Sequence, residues 1–555
     1  MSKSRFKKWT LFSPLLFVSK NRAINLCFYF SDIKRLTIIL KYDKKIISLL
    51  QFNLYSKEGI MGSECQNFSS QNKTYTRRSF LKKTATAAIA VPWIMKFPQS
   101  MPQLKKRNII FILSDDHRFD VIGCLGKHPG LVTPNFDKLV KNGILFKHAY
   151  VTTSLCSPNR ASVLTSQYAH NHGIINNQTN LSDKILTFPQ LLQKDGYKTA
   201  FVGKWHMGSV SDDPRPGFDR WVSFRGQGVY FDPLFNIDGE HIKREGYITN
   251  LITEYSVDFI KNNKDRPFFL YMSHKAVHSG FNPPPRYKGK YKNIVVPKPK
   301  SYADTDENYK GKPEWVRKQR KSNHGVDMIM NGTMEFDEFY RNYCECVLGL
   351  DDSIGILFDT LEKEGLLEDT LIIYMGDNGY QFGEHGLVDK RTMYETSILV
   401  PFIVHCPALA QSGQTRNEFV LNIDIGPTFL DAAGITIPSS FQGRSILPLI
   451  KGEKIDWRKE FLYEYFWERA YPMTPTIQGI RTEKYSYMRY HGIWDVNELY
   501  DMENDSDQMN NLIGYLPKGS RAQGAIIKDP KLKQIVDELD KRLDELIITT
   551  GGTIL

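Results

Sequence analysis

The amino-acid sequence predicts an α/β fold: a doubly wound, mostly parallel sheet with a smaller C-terminal α+β subdomain. Apolar runs of strand length alternate with helical patterns along most of the 555 residues, and this alternation is typical of a parallel sheet covered by helices. Polar clusters follow four of the apolar runs, where open α/β sheets bind ligands. Beyond residue 442 the pattern changes to shorter, alternating strands.

The predicted main domain, residues 105–435, begins with a strand at Asn108–Ser114. This run is apolar throughout, as expected for a strand that is buried on both faces. The next helix is predicted to begin at Pro134, with Thr133 as N-cap, and to end at Gly143. The same alternation predicts further helices at 188–196, 251–262 and 339–365, and strands at 198–203, 267–273, 370–375 and 399–405.

The predicted C-terminal subdomain covers residues 440–555. Short alternating strands are predicted at 461–466, 476–481 and 485–490. A repeated apolar face indicates a closing amphipathic helix, and this face consists of Ile535, Leu539, Leu543 and Ile547. We expect the subdomain to pack on the main domain.

The net charge of +12 is unevenly distributed. Residues 1–60 carry +9 and residues 61–100 carry +5, whereas the rest of the chain carries −2. The basic excess therefore belongs to the front of the chain rather than to the predicted folded body. This distribution argues against a nucleic-acid partner.

Residues 77–83 read Arg-Arg-Ser-Phe-Leu-Lys-Lys and precede a short apolar stretch that contains Ala90. This order resembles a bacterial twin-arginine export signal; a basic surface turn before a short helix is the alternative. Met61 lies at a suitable distance upstream, so we interpret 1–60 as an upstream extension and 61–100 as signal and linker. The prediction is a protein exported by an export machinery to the periplasm or the medium. No stable membrane span is expected, because charged residues interrupt the apolar runs.

Five cysteines follow the predicted signal, and their spacing forms no regular disulfide pattern. Cys344 and Cys346 lie two residues apart on a predicted helix, so they face different directions and make a poor metal pair. Cys124 and Cys406 are expected to be small buried side chains. Cys156 differs from these four because of its neighbours.

Cys156 opens the sequence Cys-Ser-Pro-Asn-Arg, which is predicted to begin a helix. A helix N-terminus supplies free N–H groups and partial positive charge, which suit an anion. Arg160 lies one helical turn further on, so its guanidinium can reach the same anion. A buried cysteine at a helix start, with proline in the first turn, is the alternative interpretation.

Oxygen-bearing side chains follow two of the predicted strands, and they are Asp115, Asp116, Asp377 and Asn378. Carboxylate and amide oxygens are hard donors that suit Ca²⁺ or Mg²⁺ better than Zn²⁺. Two ordinary strand-end turns are the alternative, since Asp-Asn-Gly is common in turns.

Lysine and histidine side chains follow two other predicted strands and the Asp377 turn. The segments are Gly203-Lys204-Trp205-His206, His274-Lys-Ala-Val-His278 and Gly386-Leu-Val-Asp-Lys390. An isolated His or Lys is more often structural than catalytic, but these all fall at one predicted edge of the sheet. Their side chains are therefore candidates for a shared site.

Together these segments resemble the type I, formylglycine-dependent sulfatases of the alkaline phosphatase superfamily, over residues 105–555. The resemblance implies an alkaline phosphatase-like sheet and hydrolysis of sulfate esters. A maturase would convert Cys156 to formylglycine, the nucleophile, and Arg160 would reach its oxygens. A divalent ion, usually Ca²⁺ and less often Mg²⁺, would be held by Asp115, Asp116, Asp377, Asn378 and the oxygen formed at Cys156.

The same resemblance implies a role for each lysine and histidine. Lys204 and Lys390 would contact sulfate oxygens, and His206 would contact the formylglycine. His278 would be the general acid for the leaving alcohol, whereas His274 would contact substrate or be structural. The His274–His278 spacing is one residue longer than the family's common His-x-Pro-His, which leaves the choice of acid open.

The stretch 461–512 is similar to the N-acetylglucosamine-6-sulfatase branch and to bacterial polysaccharide sulfatases of the ulvan type. It is rich in aromatic side chains, which suit stacking on sugar rings. The predicted substrate is a sulfated polysaccharide or its oligosaccharides, either a glycosaminoglycan or ulvan, and Glu384 and His385 are expected to contact the sugar. Two alternatives stay open: a formylglycine-dependent phosphonate or phosphodiester hydrolase, and a non-catalytic sulfated-glycan binder.

Overall fold

The computed structural model describes residues 106–555, apart from 129, 321–328, 331, 494 and 515–526, together with four strands near the N-terminus. Residues 1–103 and 104–555 form two separate compact units. In the first unit the described backbone is a four-stranded antiparallel meander. Its strands are β1 (Leu15–Ser19), β2 (Arg22–Asp32), β3 (Arg35–Tyr42) and β4 (Lys45–Asn53).

The predicted export signal lies outside the described residues, so the proposed division of residues 1–100 stays a prediction. Among the described helices, none is long and apolar enough to cross a membrane.

The second unit is built on a ten-stranded sheet flanked by two short two-stranded ones. In chain order the strands of these three sheets are β5 (Asn108–Ser114), β6 (Ile144–Phe146), β7 (Ala149–Tyr150), β8 (Lys198–Lys204), β9 (Arg220–Phe224), β10 (Leu234–Ile237), β11 (Glu240–Lys243), β12 (Phe268–Ser273), β13 (Thr370–Gly376), β14 (Gln381–Phe382), β15 (Val388–Asp389), β16 (Phe402–His405), β17 (Gln414–Arg416) and β18 (Val420–Leu421). The spatial order of the large sheet is β11-β10-β9-β8-β12-β5-β13-β16-β6-β17. Its central strands, β9 to β13 in that order, are all parallel.

Helices cover both faces of this sheet. They are α1 (Pro134–Asn142), α2 (Cys156–Thr165), α3 (Ala169–His172), α4 (Phe188–Lys194), α5 (Ile248–Asn263), α6 (Glu314–Gln319), α7 (Phe336–Lys363), α8 (Glu395–Ile398), α9 (Ile425–Ala432) and α10 (Leu447–Ile450). Residues of α2, α4 and α9 pack into the core on one face, and residues of α1, α5 and α7 pack into the core on the other. The predicted doubly wound α/β fold is therefore confirmed.

Strand β5 lies in the middle of the sheet and belongs to both cores. Ile109 and Phe111 pack on the face that carries α2, whereas Ile110 and Ile112 pack on the face that carries α7. All four are fully buried, and each contributes about 1.5–3 kcal/mol through the hydrophobic effect. An uninterrupted apolar run is what a strand with two covered faces requires.

The C-terminal subdomain is a four-stranded antiparallel meander with one helix packed on it. Its elements are β19 (Glu460–Tyr465), β20 (Thr476–Thr482), β21 (Tyr485–His491), β22 (Glu498–Asp501) and α11 (Pro530–Thr549). Asp529 caps α11 by accepting a hydrogen bond from the Lys531 N–H at 2.8 Å. Leu539, Leu543 and Ile547 are buried, as the predicted apolar face requires.

Two local expectations are wrong. The strand predicted at 399–405 begins only at Phe402, because Leu399 instead forms an isolated antiparallel bridge with Tyr150, and it runs antiparallel to β13. Cys124 is exposed rather than buried, since it lies in a short surface turn. Thr133 is the N-cap residue of α1, as predicted, although its side chain makes no capping hydrogen bond. Its hydroxyl instead accepts a hydrogen bond from the Gly123 N–H at 2.8 Å.

Candidate active site

The site lies at the carboxyl edge of the parallel strands. Asp115 and Asp116 follow β5, and Asp377 and Asn378 follow β13, its direct neighbour in the sheet. Because parallel neighbours end at the same edge, the two acidic pairs meet there. The Asp116 N–H donates to Asp377 Oδ1 at 3.0 Å and joins the two turns.

Cys156 is the first residue of α2, which is buried along its whole length. The Ser157 N–H at this N-terminus donates to Asn177 Oδ1 at 3.1 Å. The Cys156 thiol donates to Asp115 Oδ1 at 3.3 Å, so the helix start faces the carboxylates. Burial, followed by the charge of Asp115, raises the pKa of the Cys156 thiol well above its usual range. The unmodified thiol is therefore a poor nucleophile.

Four of these residues could hold a cation. Ligand atoms of Asp115, Asp116, Cys156 and Asp377 all lie within 4.8 Å of one another, and all four residues are buried. The Asn378 amide donates to Asp116 Oδ1 at 2.6 Å, whereas its buried Oδ1 has no hydrogen-bond partner among the described residues. A hard divalent cation fits this donor set, because three carboxylates and a free amide oxygen converge there.

Arg160 connects the helix that starts at Cys156 with Asp377, one of the candidate cation ligands. Its Nε and Nη2 donate to Asp377 Oδ2 at 3.1 and 2.8 Å. Its Nη1 donates to the Lys204 carbonyl at 2.8 Å and to Ser273 Oγ at 2.7 Å. Arg160 is 1% exposed, so all of these bonds form in a protected interior where they fix its orientation.

Two lysines complete the charged cluster. Lys204 forms an ion pair with Asp115, and Lys390 forms one with Asp116 at 2.5 Å. Burial alone would raise the pKa of Asp115, but Lys204 and the other neighbouring cations outweigh burial and hold it well below its usual range. Burial, only partly offset by Lys390, raises the pKa of Asp116 to about 7. The pKa of one carboxyl is therefore lowered and the pKa of its neighbour is raised.

The two candidate histidines of the site are close to this cluster. His206 is 3% exposed, has φ 52°, and its Nδ1 has no partner among the described residues. His278 is half-buried, and its ligand atom lies within 4.8 Å of those of Asp115 and Cys156. Burial, followed by the charge of Lys204, lowers the pKa of both imidazoles. Both are therefore neutral bases until an anion enters.

The other three sequence candidates lie elsewhere. His274 is fully buried, and its Nε2 lies 3.3 Å from Ser353 Oγ on α7, in the helix layer opposite to α2. Glu384 pairs with Arg118 at 2.6 Å. Together with His385, Glu384 lines a cavity of about 370 Å³. His274 and His278 therefore lie in different surroundings, and Glu384 and His385 form part of the wall of this cavity.

Sequence analysis missed several supporting residues. Gln227 accepts a hydrogen bond from the Lys204 ammonium at 2.5 Å. Tyr343 on α7 donates to the Asp116 carbonyl at 2.8 Å. Ser273 donates to the Lys204 carbonyl at 2.7 Å. Only Ser273 had a sequence indication, namely its place at the end of a predicted strand.

Comparisons with known proteins agree with this geometry. Residues 107–435 match the Sulfatase family model, and residues 383–548 match the family model described as N-sulphoglucosamine sulphohydrolase, C-terminal. An N-acetylglucosamine-6-O-sulfatase from Bacteroides thetaiotaomicron is 33% identical over 79% of this chain and 87% of its own length. An ulvan-active sulfatase from Formosa agariphila is 26% identical over 82% of this chain and 84% of its own.

A solved structure in complex with its substrate, D-glucosamine-2-N,6-O-disulfate, superposes with a TM-score of 0.71 at 31% identity. The alignment covers 80% of this chain and 98% of that one. The carboxylates, Cys156 and the lysines all lie at one edge of the sheet, and the family model covers this whole region. The chain therefore belongs to the sulfatase family and is a sulfuric ester hydrolase.

Proposed function

We propose that this sulfatase acts outside the cytoplasm and removes the 6-O-sulfate of a glucosamine-type residue in a glycosaminoglycan-type oligosaccharide. The observation that carries the proposal is the similarity to the Bacteroides N-acetylglucosamine-6-O-sulfatase, which spans 79% of this chain and 87% of that protein. The ulvan-active relative is less identical over a similar span. Ulvan oligosaccharides are therefore the second candidate substrate.

The chemistry rests on two groups that Cys156 and the carboxylates are suited to hold. A formylglycine at Cys156 supplies a hydrated aldehyde as nucleophile, and a divalent cation, Ca²⁺ before Mg²⁺, supplies positive charge against the sulfate oxygens. The donor set of Asp115, Asp116, Asp377 and Asn378 supports an oxygen-preferring cation.

The chain's own side chains do the rest. Lys204 and Lys390 place two ammonium groups beside the carboxylates, where they bind and neutralise an entering sulfate. Arg160 holds Asp377 and the Lys204 backbone in fixed positions. An entering anion raises the proton affinity of neighbouring imidazoles, so His278 can take up a proton and deliver it to the leaving alcohol. His206 is the second imidazole at the nucleophile.

A desulfation assay tests this function. The full chain is co-expressed with a formylglycine-generating maturase, and formylglycine at Cys156 is verified by mass spectrometry. Free sulfate is then measured on N-acetylglucosamine-6-sulfate, on heparan-type oligosaccharides and on ulvan oligosaccharides. The matched control is Cys156→Ala, because it removes the one side-chain atom that is converted into the nucleophile and changes nothing else in the chain.

Each outcome separates the candidates. Sulfate release from the 6-sulfated sugar that is lost in Cys156→Ala supports the proposal, whereas release only from ulvan moves the substrate to the second candidate. Turnover of an aryl phosphodiester in preference to an aryl sulfate would favour the phosphonate or phosphodiester hydrolase. Binding of the glycans without turnover, despite verified formylglycine, would favour a glycan-binding protein.

A further inference from the structure

Lys275 is a largely buried lysine near the site, and the reaction described above assigns it no role. It lies in the turn after β12, next to His274 and three residues before His278. The residue is 4% exposed. Its Nζ lies 4.7 Å from the centroid of the Tyr230 ring, and the Tyr230 hydroxyl donates to the His278 carbonyl at 2.7 Å. Lys275 is thus fixed beside the candidate general acid.

In the part of the chain that the structure describes, no carboxylate lies within ion-pair distance of this ammonium. The other three cations of the cluster each pair with an aspartate: Arg160 with Asp377, Lys204 with Asp115 and Lys390 with Asp116. Among the described residues, Lys275 has neither an ion pair nor a hydrogen-bond acceptor for its ammonium, which lies over the aromatic face of Tyr230. Lys390 also lies 3.8 Å from Asp389, which pairs in turn with Arg391, so Lys275 differs from its cationic neighbours in having no carboxylate partner among the described residues.

Lys312 is a second buried lysine, and its hydrogen bonds are those expected of a structural residue. Lys312 is 7% exposed, and its ammonium donates to the Tyr500 hydroxyl at 2.8 Å and to the Gln508 carbonyl at 2.7 Å. For Lys275 the described residues offer no comparable acceptors. A largely buried charge without a partner is costly, so an anion that enters this site with the substrate would stabilise the Lys275 ammonium.

The charge of Lys275 is available at neutral pH. Burial, followed by repulsion from Lys204, lowers its pKa to about 8, so most of the population keeps its proton at pH 7. Asp115 and Asp116 are near enough to act on it electrostatically but do not pair with it.

We propose that Lys275 is an additional anion-binding residue that contacts a sulfate of the substrate and so contributes to specificity. The sulfate is either the one that is hydrolysed or a second one on the same sugar, and both offer the same anionic oxygens. The proposal rests on the proposed function for the choice of sugar, but not for the binding of sulfate itself.

Inorganic sulfate is the first probe, measured by isothermal titration calorimetry on the full chain in Ca²⁺-containing buffer at constant ionic strength. The variants are Lys275→Met, which keeps the volume and removes the charge, and Lys275→Arg, which keeps the charge. Lys312→Met is the matched control. We expect Lys275→Met to weaken sulfate binding by about 10- to 100-fold, Lys275→Arg to restore most of it, and Lys312→Met to leave it unchanged.

The second probe separates the two sulfates. If Lys275→Met leaves the affinity for inorganic sulfate unchanged but raises KM for a 2-N,6-O-disulfated glucosamine more than for N-acetylglucosamine-6-sulfate, Lys275 binds the second sulfate. Unchanged values with all three ligands would overturn the proposal. The inorganic sulfate measurement does not depend on the sugar, so a wrong choice of sugar would be seen separately.

Thermal stability distinguishes binding from a structural role. Removal of an unpartnered buried charge should leave the melting temperature of Lys275→Met equal to or above that of the wild type. Lys312→Met should lower it, because two acceptors lose their donor. A melting temperature of Lys275→Met that falls as far as that of Lys312→Met would mean that Lys275 is structural and would overturn the proposal.

Discussion

Arg160→Lys tests whether the hydrogen bonds of Arg160 hold the residues of the site in position. Arg160 makes four hydrogen bonds: two to Asp377 Oδ2, one to the Lys204 carbonyl and one to Ser273 Oγ. Lysine keeps the positive charge but not the planar fork, so a single ammonium cannot reach both sides. At least two of the four bonds are expected to be lost.

The magnitude follows from these contacts. Hydrogen bonds to charged groups contribute about 1.5–3 kcal/mol each, so the free energy of unfolding should fall by about 3–5 kcal/mol. The loss of the bond to its carbonyl also frees Lys204 to move. A misplacement of about 1 Å lowers kcat/KM by about 100-fold, and we expect a loss of at least that size.

Urea unfolding followed by tryptophan fluorescence measures the stability, and sulfate release measures kcat/KM. Arg458→Lys is the matched control, because Arg458 also makes a two-pronged pair with a buried aspartate, Asp424, but outside the site. It should lose stability and keep its kcat/KM. Wild-type kcat/KM in Arg160→Lys, or an equal loss in both variants, would refute the argument.

Three further predictions concern the cation, the carboxyls and the cavity. Ca²⁺ should raise the melting temperature of the wild type and much less that of Asp377→Asn, since a ligand stabilises the state that binds it; equal rises, measured against EDTA, would contradict this. In EDTA, the pKa of the Asp116 carboxyl is about 7 in the folded protein, raised from its ordinary value of 3.8. Its contribution to the free energy of unfolding is therefore present below pH 3.8 and is lost as the pH rises toward 7. Asp116→Asn should flatten this part of the melting-temperature curve, and parallel curves for the two proteins would count against it. Glu384→Gln should raise KM for the sulfated sugar by about 3- to 10-fold, because the ion pair with Arg118 in the cavity wall weakens; an unchanged KM would remove Glu384 from substrate binding.

Much of the sheet could be predicted because its strands are buried on both faces. Asn108–Ser114 and Thr370–Gly376 are apolar along their length, and the structure pairs them as parallel neighbours. The antiparallel direction of Phe402–His405 could not be predicted, since an apolar run of four residues is the same in either direction.

Which of the two histidines of one turn lies beside the carboxylates also needed the tertiary structure. His274 and His278 both follow the strand Phe268–Ser273, and the sequence left open which of them is the acid. The structure places His274 against Ser353 in the opposite helix layer and His278 beside Asp115. Side-chain direction in a turn depends on its backbone angles and on the layers that cover it, which local spacing does not encode.

The sequence by itself determined the fold class, the edge of the sheet that carries the site, and the residue types that meet there. These follow from local physics, because hydrophobic periodicity specifies strands and helices, and parallel strands deliver the residues after them to one edge. Only the tertiary structure decided which charges neutralise one another. Each aspartate of the site pairs with a cation from a distant segment, while Lys275 is left without a carboxylate among the described residues. Charge balance in a buried cluster is a property of contacts between segments, and so it appears only when the chain is folded.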